Sequence, residues 1–500
     1  MLFPLAYLAT TYTDARSSGP ASHPAPSFYD PPPDLEPGVY NHRLLTLHSD
    51  GEVNISRLLV WDPSSDVPTI KRNYLVIETG DGADRIHIRN WPGDRLQILI
   101  NDKPYFFSIK PPQGPEQSLL IETKGGHDSV IIDDDVKLQA TVEGGNDDDY
   151  LQAGGGRTSL YGGKGRDVMR LGSGLGYAEG NDDDDTLIGG SGNAAMYGNN
   201  GKDLLIGGFG PEGKQTYMDG GNDDDALLSG SGQTVAHGGN GNDVFVGAGR
   251  TTFYTGKGQD SIWNNRREDR IYGKTGDAFD RASGSTFIEV KPSDAGQHGF
   301  TLLESVESTE QENEDFRQRV ADDLEFLRSS PIGQQALTEM DAIAMVNHGK
   351  VSIAPISQDG SSYEFDSTEL DNLTEQQAQN LDGAALGEMK DGVAGSRANR
   401  AVIYYDPAQI VENSQHTHLR SPIGVFFHEL AHAYNGATGT LLPGETLEIS
   451  RSGGTNPVNN FEHQAVGLTS DNPRHFTENG LYEEMGTPLR PNYHKDSIGM

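Results

Sequence analysis

The 500-residue sequence contains no cysteine, which excludes disulfide bonds and thiolate metal sites. Any metal must therefore be held by histidine, aspartate, glutamate or backbone oxygen. Basic residues are also scarce, since 38 Lys and Arg stand against 74 Asp and Glu, a formal net charge of -36. This charge argues against binding to nucleic acid or to an anionic membrane. No apolar run is long enough to cross a bilayer, so we expect no membrane insertion.

Residues 1–38 are poor in the features of a folded domain. They contain the Pro- and Ser-rich stretch SSGPASHPAPSFYDPPPDLEP, which predicts a disordered leader. The opening MLFPLAYLA is short and has no basic lead, so it is a poor Sec signal. A leader of this kind fits export by a specialised bacterial secretion machine.

The next two regions are rich in strand and turn signals. Short apolar runs such as RLLVWD, NYLVIETG and LQILIND predict strands over residues 39–142. Residues 143–300 contain an internal repeat, whose clearest copies are GGKGRDVMR and GGNGNDVFV. Both match the nonapeptide G-G-x-G-x-D-x-U-x, in which U is a large apolar residue. The repeated aspartates, at intervals of 18, 18, 18, 22, 18 and 17 residues, are Asp149, Asp167, Asp185, Asp203, Asp225, Asp243 and Asp260.

This repeat resembles the RTX family of calcium-binding parallel β-rolls. The resemblance implies that backbone carbonyls and the aspartates bind Ca²⁺ along one acidic edge, while the U residues fill the interior. Acid-rich turns such as NDDDDT lack the glycine at the fourth position of the family pattern. The alternative is an ion-free solenoid in which Asp and Asn cap the turns. Carboxylates stacked about 4.8 Å apart favour the calcium-bound alternative, because they repel one another unless a cation lies between them.

Residues 308–500 differ in composition from the repeats. Within them, the stretch VFFHELAHAY contains the pattern His-Glu-x-x-His. A helix is predicted here, with Ser421 as N-cap and Pro422 as its first residue. His428 and His432 then share one face and can reach one metal ion, while Glu429 can contact a metal-bound water. The alternative is an amphipathic helix that carries two histidines and no metal.

A second predicted helix, NNFEHQAVGL, lies about thirty residues downstream and offers a third metal ligand. Both Glu462 and the adjacent His463 are candidates. Their side chains point about 100° apart on a helix, so only one of them fits.

HELAHAY, NxxExQAVG and ENxLxxExGxPxRxxY together resemble the NleD-type zinc metalloprotease effectors that gram-negative pathogens inject into host cells. The resemblance implies two histidines and a glutamate on zinc, a glutamate general base, and an Arg-x-x-Tyr pair that assists at the substrate carbonyl. In that order, the matching positions are His428, His432 and Glu462, then Glu429, then Arg490 and Tyr493. Family members often have Arg where this chain has Tyr482, which suggests altered substrate contacts.

We therefore expect a multidomain chain, in which an N-terminal all-β parallel β-roll or solenoid precedes a C-terminal α+β zincin-like metalloprotease domain. The predicted function is zinc-dependent cleavage of specific host proteins, after secretion or delivery into a host cell by a bacterial secretion system. One alternative is a calcium-binding adhesion or interaction protein with a vestigial protease. Another is a broad-range secreted RTX-type protease, but those enzymes use a third motif histidine where this chain has Thr438.

The strand predicted over Ala401 to Pro407 has two interpretations. As an edge strand it would align an extended peptide substrate by β-addition. As an ordinary core strand it would only support the sheet.

Overall fold

The computed structural model describes residues 10–11, 27–36, 40–63, 68–306, 308–356, 360–374, 381–413, 415–469, 472–473 and 476–494. The described residues divide into two compact units, one that ends at Gly208 and one that begins at Phe209. This division falls where one repeat interval lengthens to 22 residues.

The first unit consists of strands. In chain order they are β1 Thr10–Thr11, β2 Asn41–Ser49, β3 Asn54–Asp62, β4 Thr69–Glu78, β5 Arg85–Trp91, β6 Arg95–Ile100, β7 Lys103–Ser108, β8 Ser118–Glu122, β9 Ser129–Ile132, β10 Ala140–Asn146, β11 Tyr150–Gln152, β12 Thr158–Lys164, β13 Val168–Arg170, β14 Gly176–Asp182, β15 Thr186–Ile188, β16 Ala194–Asn200 and β17 Leu204–Ile206. Most are short because Gly- and Asp-rich turns interrupt them every few residues.

Parallel pairing of alternate strands turns this unit into a solenoid. Strands β8, β10, β12, β14 and β16 form one sheet, and β9, β11, β13, β15 and β17 form the other. The U positions of the repeat, such as Leu151, Met169 and Leu187, have no solvent exposure and fill the interior. The stacking of equivalent residues therefore follows directly from the eighteen-residue repeat.

Coiling begins before the recognisable repeat. Strands β2–β3–β4 and β5–β6–β7 pair antiparallel, but β4 pairs with β8 and β5 with β9 in parallel. Within the predicted leader, Phe28, Tyr29 and Leu35 pack against the cluster of Leu59, Trp61 and Ile70. Apart from residues 10–11 and 27–36, that leader lies outside the described residues.

The second unit contains further solenoid strands and the C-terminal α+β region. Its strands are β18 Gln215–Asn222, β19 Ala226–Leu228, β20 Gln233–Asn240, β21 Val244–Val246, β22 Arg250–Tyr254, β23 Ser261–Trp263, β24 Arg270–Gly273, β25 Ala278–Phe279, β26 Thr286–Glu289, β27 Phe300–Leu302, β28 Val351–Pro355, β29 Ser362–Glu364, β30 Val402–Tyr405, β31 Val411–Glu412, β32 Leu419–Arg420, β33 Glu445–Ile449 and β34 Thr455–Asn459. Its described α-helices are α1 Glu310–Ser329, α2 Pro331–Asn347, α3 Pro422–Thr438, α4 Asn460–Val466 and α5 Glu478–Met485, with short 3₁₀ helices at Thr368–Asn372 and Gly383–Leu386.

In this unit β18, β20, β22, β24 and β26 continue the solenoid pattern, with β19, β21, β23 and β25 in the opposite sheet. The chain makes about ten solenoid turns in all. The α+β region is built on a four-stranded sheet in the order β27-β28-β30-β29. The expected class, a parallel solenoid followed by a region of helices and sheets, is thus confirmed.

Strand β30 is the one predicted over Ala401 to Pro407, and it lies inside this sheet between β28 and β29. The idea that it is a peptide-binding edge strand is therefore wrong, because both of its backbone edges are already paired. Strand β29 pairs antiparallel with β30 and occupies the end of the sheet. Helix α3 packs on this sheet, with the rings of Phe426 and Tyr405 4.9 Å apart.

Candidate active site and metal centres

Helix α3 carries the His-Glu-x-x-His pattern and is buried along nearly its whole length. It begins as the sequence predicts, with Ser421 as N-cap and Pro422 in the first turn, and ends at Gly439, whose φ of 71° is left-handed. Phe426, Phe427 and Leu430 have no solvent exposure. These apolar residues hold the helix in the core and fix the direction of its two histidines.

His428, His432 and Glu462 meet at one point between α3 and α4. Each of the three distances among His428 Nε2, His432 Nε2 and Glu462 Oε2 is 3.1 Å. Zinc bonds of about 2.0–2.1 Å at tetrahedral angles place ligand atoms about 3.3 Å apart, so the triangle fits a zinc ion with room for a fourth ligand. Although burial opposes ionisation, His432 and His428 hold the pKa of Glu462 below its usual range. The cluster is a possible metal site made of two imidazoles and one carboxylate.

His463 points elsewhere, which separates the two candidate third ligands. Its Nε2 lies 3.0 Å from Oε1 of Glu448 on β33, and both side chains are buried. Glu448 also accepts hydrogen bonds from the backbone N–H groups of Tyr493 and His494. His463 therefore belongs to a support that ties α4 and β33 to the C-terminal segment.

Glu478, at the start of α5, supports the histidine site from behind, and the sequence reasoning missed it. Its Oε2 lies 3.1 Å from His428 Nδ1 and also binds Arg490, while its Oε1 accepts hydrogen bonds from Arg420 and Tyr482. Glu478 is fully buried, and despite that burial the two guanidinium groups hold the pKa of its carboxyl well below the usual range. A carboxylate on the far nitrogen of a histidine fixes the tautomer and ring orientation that metal binding requires.

The predicted Arg490–Tyr493 pair is split between two roles. Arg490 Nη1 binds Glu478 and Nη2 donates to the backbone carbonyl of Tyr493, so the guanidinium lies behind the site. The Tyr493 ring lies 6.1 Å from the His428 ring. Among the described residues that line the cleft, Tyr493 is present and Arg490 is not.

The cleft has a volume of about 350 Å³ and opens onto the histidine site. Its described lining comprises Ser361, Ser362, Tyr363, Phe365, Leu386, Glu388, Glu429, His432, Leu441, Phe461, Glu462 and Tyr493. Burial raises the pKa of Glu429, and the neighbouring histidines oppose that shift. Glu429, which is the candidate general base, and the terminal strand β29 therefore face one cavity.

Two other positions discussed from the sequence are structural. Tyr482 is buried, its hydroxyl donates to Glu478 over 2.8 Å, and it is not among the described residues that line the cleft. The hydroxyl of Thr438 donates to the carbonyl of Tyr434 within α3. Thr438 therefore does not replace the third motif histidine of the RTX-type proteases.

The aspartates of the repeat form columns along one edge of the solenoid. In the first unit, Oδ1 of Asp149, Asp167, Asp185 and Asp203 each accepts the backbone N–H of the aspartate one turn earlier, over 2.7–2.8 Å. In the second unit Asp243 and Asp260 accept N–H groups in the same way over 2.9 Å. All seven aspartates predicted from the sequence are buried.

The second carboxylate oxygens point into small polar spaces. Oδ2 of Asp149, Asp167, Asp185 and Asp243 is buried without a hydrogen-bond partner among the described residues. A Cβ on Gly144 would lie 2.4 Å from Asp149 Oδ2 and 2.8 Å from the Gly162 carbonyl oxygen, so a carboxylate and a carbonyl border the space that glycine leaves open. Burial raises the pKa of Asp149 to about 8 and of Asp185 to about 9. Oxygen donors of these two kinds fit Ca²⁺.

Asp260 differs from the other aspartates because it already has an internal cation. Lys274 Nζ lies 2.9 Å from Asp260 Oδ2 and also donates to the Gly256 carbonyl. The glycine that precedes the other aspartates by five residues is replaced here by Thr255. The ammonium group of Lys274 therefore neutralises the carboxylate that the sequence assigns to calcium at this turn.

Comparison with known families agrees with this division of the chain. Residues 304–493 match the family Peptidase_M91, described as effector protein. Residues 143–175 and 179–211 match the RTX calcium-binding nonapeptide repeat, in four copies. Neither a curated protein nor a solved structure matches the chain.

The chain thus combines a region of the peptidase effector class with RTX calcium-binding repeats. More particularly, residues 304–493 are a peptidase M91 effector domain that follows those repeats and a β-solenoid, which confirms the resemblance to NleD-type effectors. Within the described residues, no helix is long and apolar enough to span a membrane.

Proposed function

We propose that the protein is a zinc-dependent endopeptidase that cleaves specific host proteins. The observation that carries this proposal is the triangle of His428, His432 and Glu462, with three distances of 3.1 Å at the edge of an open cleft. When bound, zinc supplies Lewis acidity to a water molecule and to the scissile carbonyl. The remaining chemistry belongs to side chains that the fold holds around it.

Glu429 is the general base in this proposal. It follows His428 directly on α3, lines the cleft and is buried. It takes the proton of the attacking water and passes it to the leaving amine. Burial raises the pKa of its carboxyl although His428 and His432 oppose that shift, and a raised pKa makes the carboxylate a stronger proton acceptor.

Tyr493 and Arg490 act in different ways. The hydroxyl of Tyr493 donates to the oxyanion that develops on the substrate carbonyl, since this side chain lines the cleft. Arg490 is a positioning residue, because it holds Glu478 against His428 and binds the carbonyl of Tyr493. This assignment changes the sequence-based expectation that both side chains assist at the carbonyl.

Strand β29 is the element best placed to align an extended substrate. It occupies the end of its sheet, and Ser362 and Tyr363 on it line the cleft. An extended peptide that pairs with such an edge gains backbone hydrogen bonds, and the side pockets select among sequences. Phe365, Leu386 and Phe461 supply an apolar lining for one substrate side chain.

The solenoid in this proposal binds Ca²⁺ at the aspartates whose Oδ2 atoms face the glycine spaces. The proposed setting is a bacterial secretion system that secretes the protein or delivers it into a host cell, where it meets its protein substrate. A vestigial protease is disfavoured because both histidines, both carboxylates and Tyr493 are in place. A broad-range RTX-type protease is disfavoured because the hydroxyl of Thr438 is bonded within α3.

The test is a mass-spectrometric profile of new peptide termini in host-cell lysate treated with zinc-loaded protein. Glu429→Gln is the matched control, because it keeps the shape of the side chain and leaves the three metal ligands intact. We expect a small set of cleavages with the wild-type protein that the variant lacks. An identical set of termini with both proteins, or none with either, would refute the proposed activity.

A further inference from the structure

Helix α5 connects the histidine site to the last turns of the solenoid. Its first residue, Glu478, lies against His428, and its last, Met485, contacts solenoid strand β22. Eight residues at about 1.5 Å each span only about 12 Å, so both ends belong to one short rigid element.

The carbonyl groups at the C-terminal end of α5 are bound by solenoid side chains. Arg270 Nη1 donates to the carbonyls of Glu483 and Glu484, over 2.6 and 2.9 Å. Thr252 Oγ1 donates to the Met485 carbonyl over 2.7 Å, and Arg250 Nη2 donates to the Gly486 carbonyl over 2.8 Å. These are the carbonyls that a helix cannot satisfy by itself.

The side chain of Glu484 adds a second anchor. Its Oε1 accepts the hydroxyl of Tyr254 on β22 over 3.1 Å, and its Oε2 accepts the backbone N–H of Ile332 on α2 over 2.9 Å. The carboxylate is buried, and that burial raises its pKa. The solenoid, α5 and the start of α2 therefore share one buried carboxylate.

We expect helix α5 to depend on these contacts. A helix of eight residues is too short to be stable by itself in water. Two arginines at its C-terminal end also interact favourably with the helix dipole. Without them we expect the end of the helix to fray and the position of Glu478 against His428 to be less fixed, although Arg420, Arg490 and Tyr482 still bind its carboxylate.

We propose that the last solenoid turns are part of the scaffold of the histidine site, and that Arg270 is a positioning residue for His428 acting through α5 and Glu478. In its effect on zinc this rests on the proposed function. The peptidase family match starts at residue 304, so it contains none of these solenoid donors. The catalytic unit of this chain thus extends upstream of its recognisable domain.

The experiment compares full-length wild type with Arg270→Ala, Arg270→Lys and Thr252→Val. Arg170→Ala is the matched control, because Arg170 is an exposed arginine on β13 in the first unit. Zinc affinity is measured by competition with a chromogenic chelator. Amide hydrogen exchange over residues 478–485 reports on α5 whether or not zinc is bound.

Arg270→Ala should weaken zinc about 10- to 100-fold, as loss of an outer support of a metal ligand does. It should also speed exchange in α5, while Arg170→Ala changes neither quantity. Arg270→Lys should restore much of both, because one ammonium can donate to the same two carbonyls. Thr252→Val removes one donor with little change in size, so it gives a smaller effect of the same kind even if Arg270→Ala does not fold.

A double-mutant cycle identifies the route. If Arg270 acts through Glu478, the losses of zinc affinity from Arg270→Ala and Glu478→Gln will not add. Additive losses, or a folded Arg270→Ala protein with wild-type zinc affinity and wild-type exchange in α5, would overturn the proposal. A wild-type protein without zinc would refute the proposed function, and exchange in α5 would still decide whether the solenoid holds the helix.

Discussion

The acidic edge of the solenoid and the histidine site on α3 are both candidate metal centres, but they are assembled in opposite ways. Along the solenoid, Asp149 and Asp167 meet because the strands repeat in register every 18 residues. At the histidine site, α3 and α4 bring together side chains 34 residues apart, and α5 supports them from 50 residues away. A repeat therefore builds many similar sites from local information, whereas one catalytic site needs long-range packing.

The difference also concerns what holds each site in place without a metal. The aspartate Oδ1 atoms bind backbone N–H groups, while several Oδ2 atoms are buried without a partner among the described residues. His428 instead contacts a ligand carboxylate on one nitrogen and the Glu478 carboxylate on the other. The histidine site is thus arranged in advance, and the aspartate column carries a cost that a cation would relieve.

The largest expected effect is complete loss of zinc from the histidine site. Purified protein should hold about one zinc per chain, and His432→Ala should hold none, because two remaining ligands do not retain zinc. His463→Gln is the control, since its amide can still donate to Glu448. Metal analysis that finds zinc in His432→Ala, or finds it missing from His463→Gln, would show that the wrong side chains form the site.

The next effect is on turnover. Tyr493→Phe removes one hydroxyl from the cleft, so kcat should fall about a hundredfold, while zinc content and stability stay unchanged. Arg490→Lys should lower zinc affinity as well as kcat, because it disturbs Glu478. Kinetics with a substrate found by cleavage profiling measure kcat for both variants. Tyr404→Phe on β30 is the control. Near-normal turnover in folded, zinc-loaded Tyr493→Phe would limit that tyrosine to a structural role.

The aspartate column should show a smaller effect that depends on pH. In calcium-free protein the folded-state pKa values of Asp149, Asp167 and Asp185 are raised to about 8, 7 and 9. The folded state then binds more protons than the unfolded state between about pH 4 and 9, so stability falls as pH rises through that window. Added calcium should raise the melting temperature and remove this pH dependence.

Asp185→Asn sharpens the same measurement. Without calcium at about pH 8.5 the wild-type carboxyl must take up a proton or bury its charge on folding, and the amide avoids both costs, so this variant should melt above the wild type. With calcium it lacks a ligand and should melt below the wild type. Melting curves of the wild type that are the same in calcium and in chelator would support the ion-free solenoid instead.

The smallest effect concerns a single turn. Lys274→Met removes the ammonium beside Asp260, so calcium stoichiometry should rise by about one ion per chain if that turn regains a site. Lys291→Met, at a nearby exposed lysine, is the control. Calorimetric titration with calcium measures the difference. An unchanged ion count would mean that Thr255, and not the lysine, is what closes this turn.

Patterns along the chain determine the features that depend on one element. Helical spacing brings His428 and His432 to one face, and strand repetition stacks the aspartates, because both follow from local backbone geometry. The start of helix α3 at Ser421, and the solenoid followed by helices and sheets, could be predicted for the same reason.

Tertiary structure decides what depends on segments far apart in the chain. Glu462 and His463 are neighbours with similar chemistry, and only Glu448 on another strand shows which of them turns away. Glu478 is the first residue of the motif ENxLxxExGxPxRxxY, but the motif indicates no role for it, and an acidic residue in the first turn of a helix is common because of the helix dipole. Likewise, Lys274 neutralises Asp260 and Arg270 holds α5 only because folding brings these cations to oxygen atoms on other segments. Spacing specifies how an element places its own side chains, but packing between elements determines which charges meet in the buried interior.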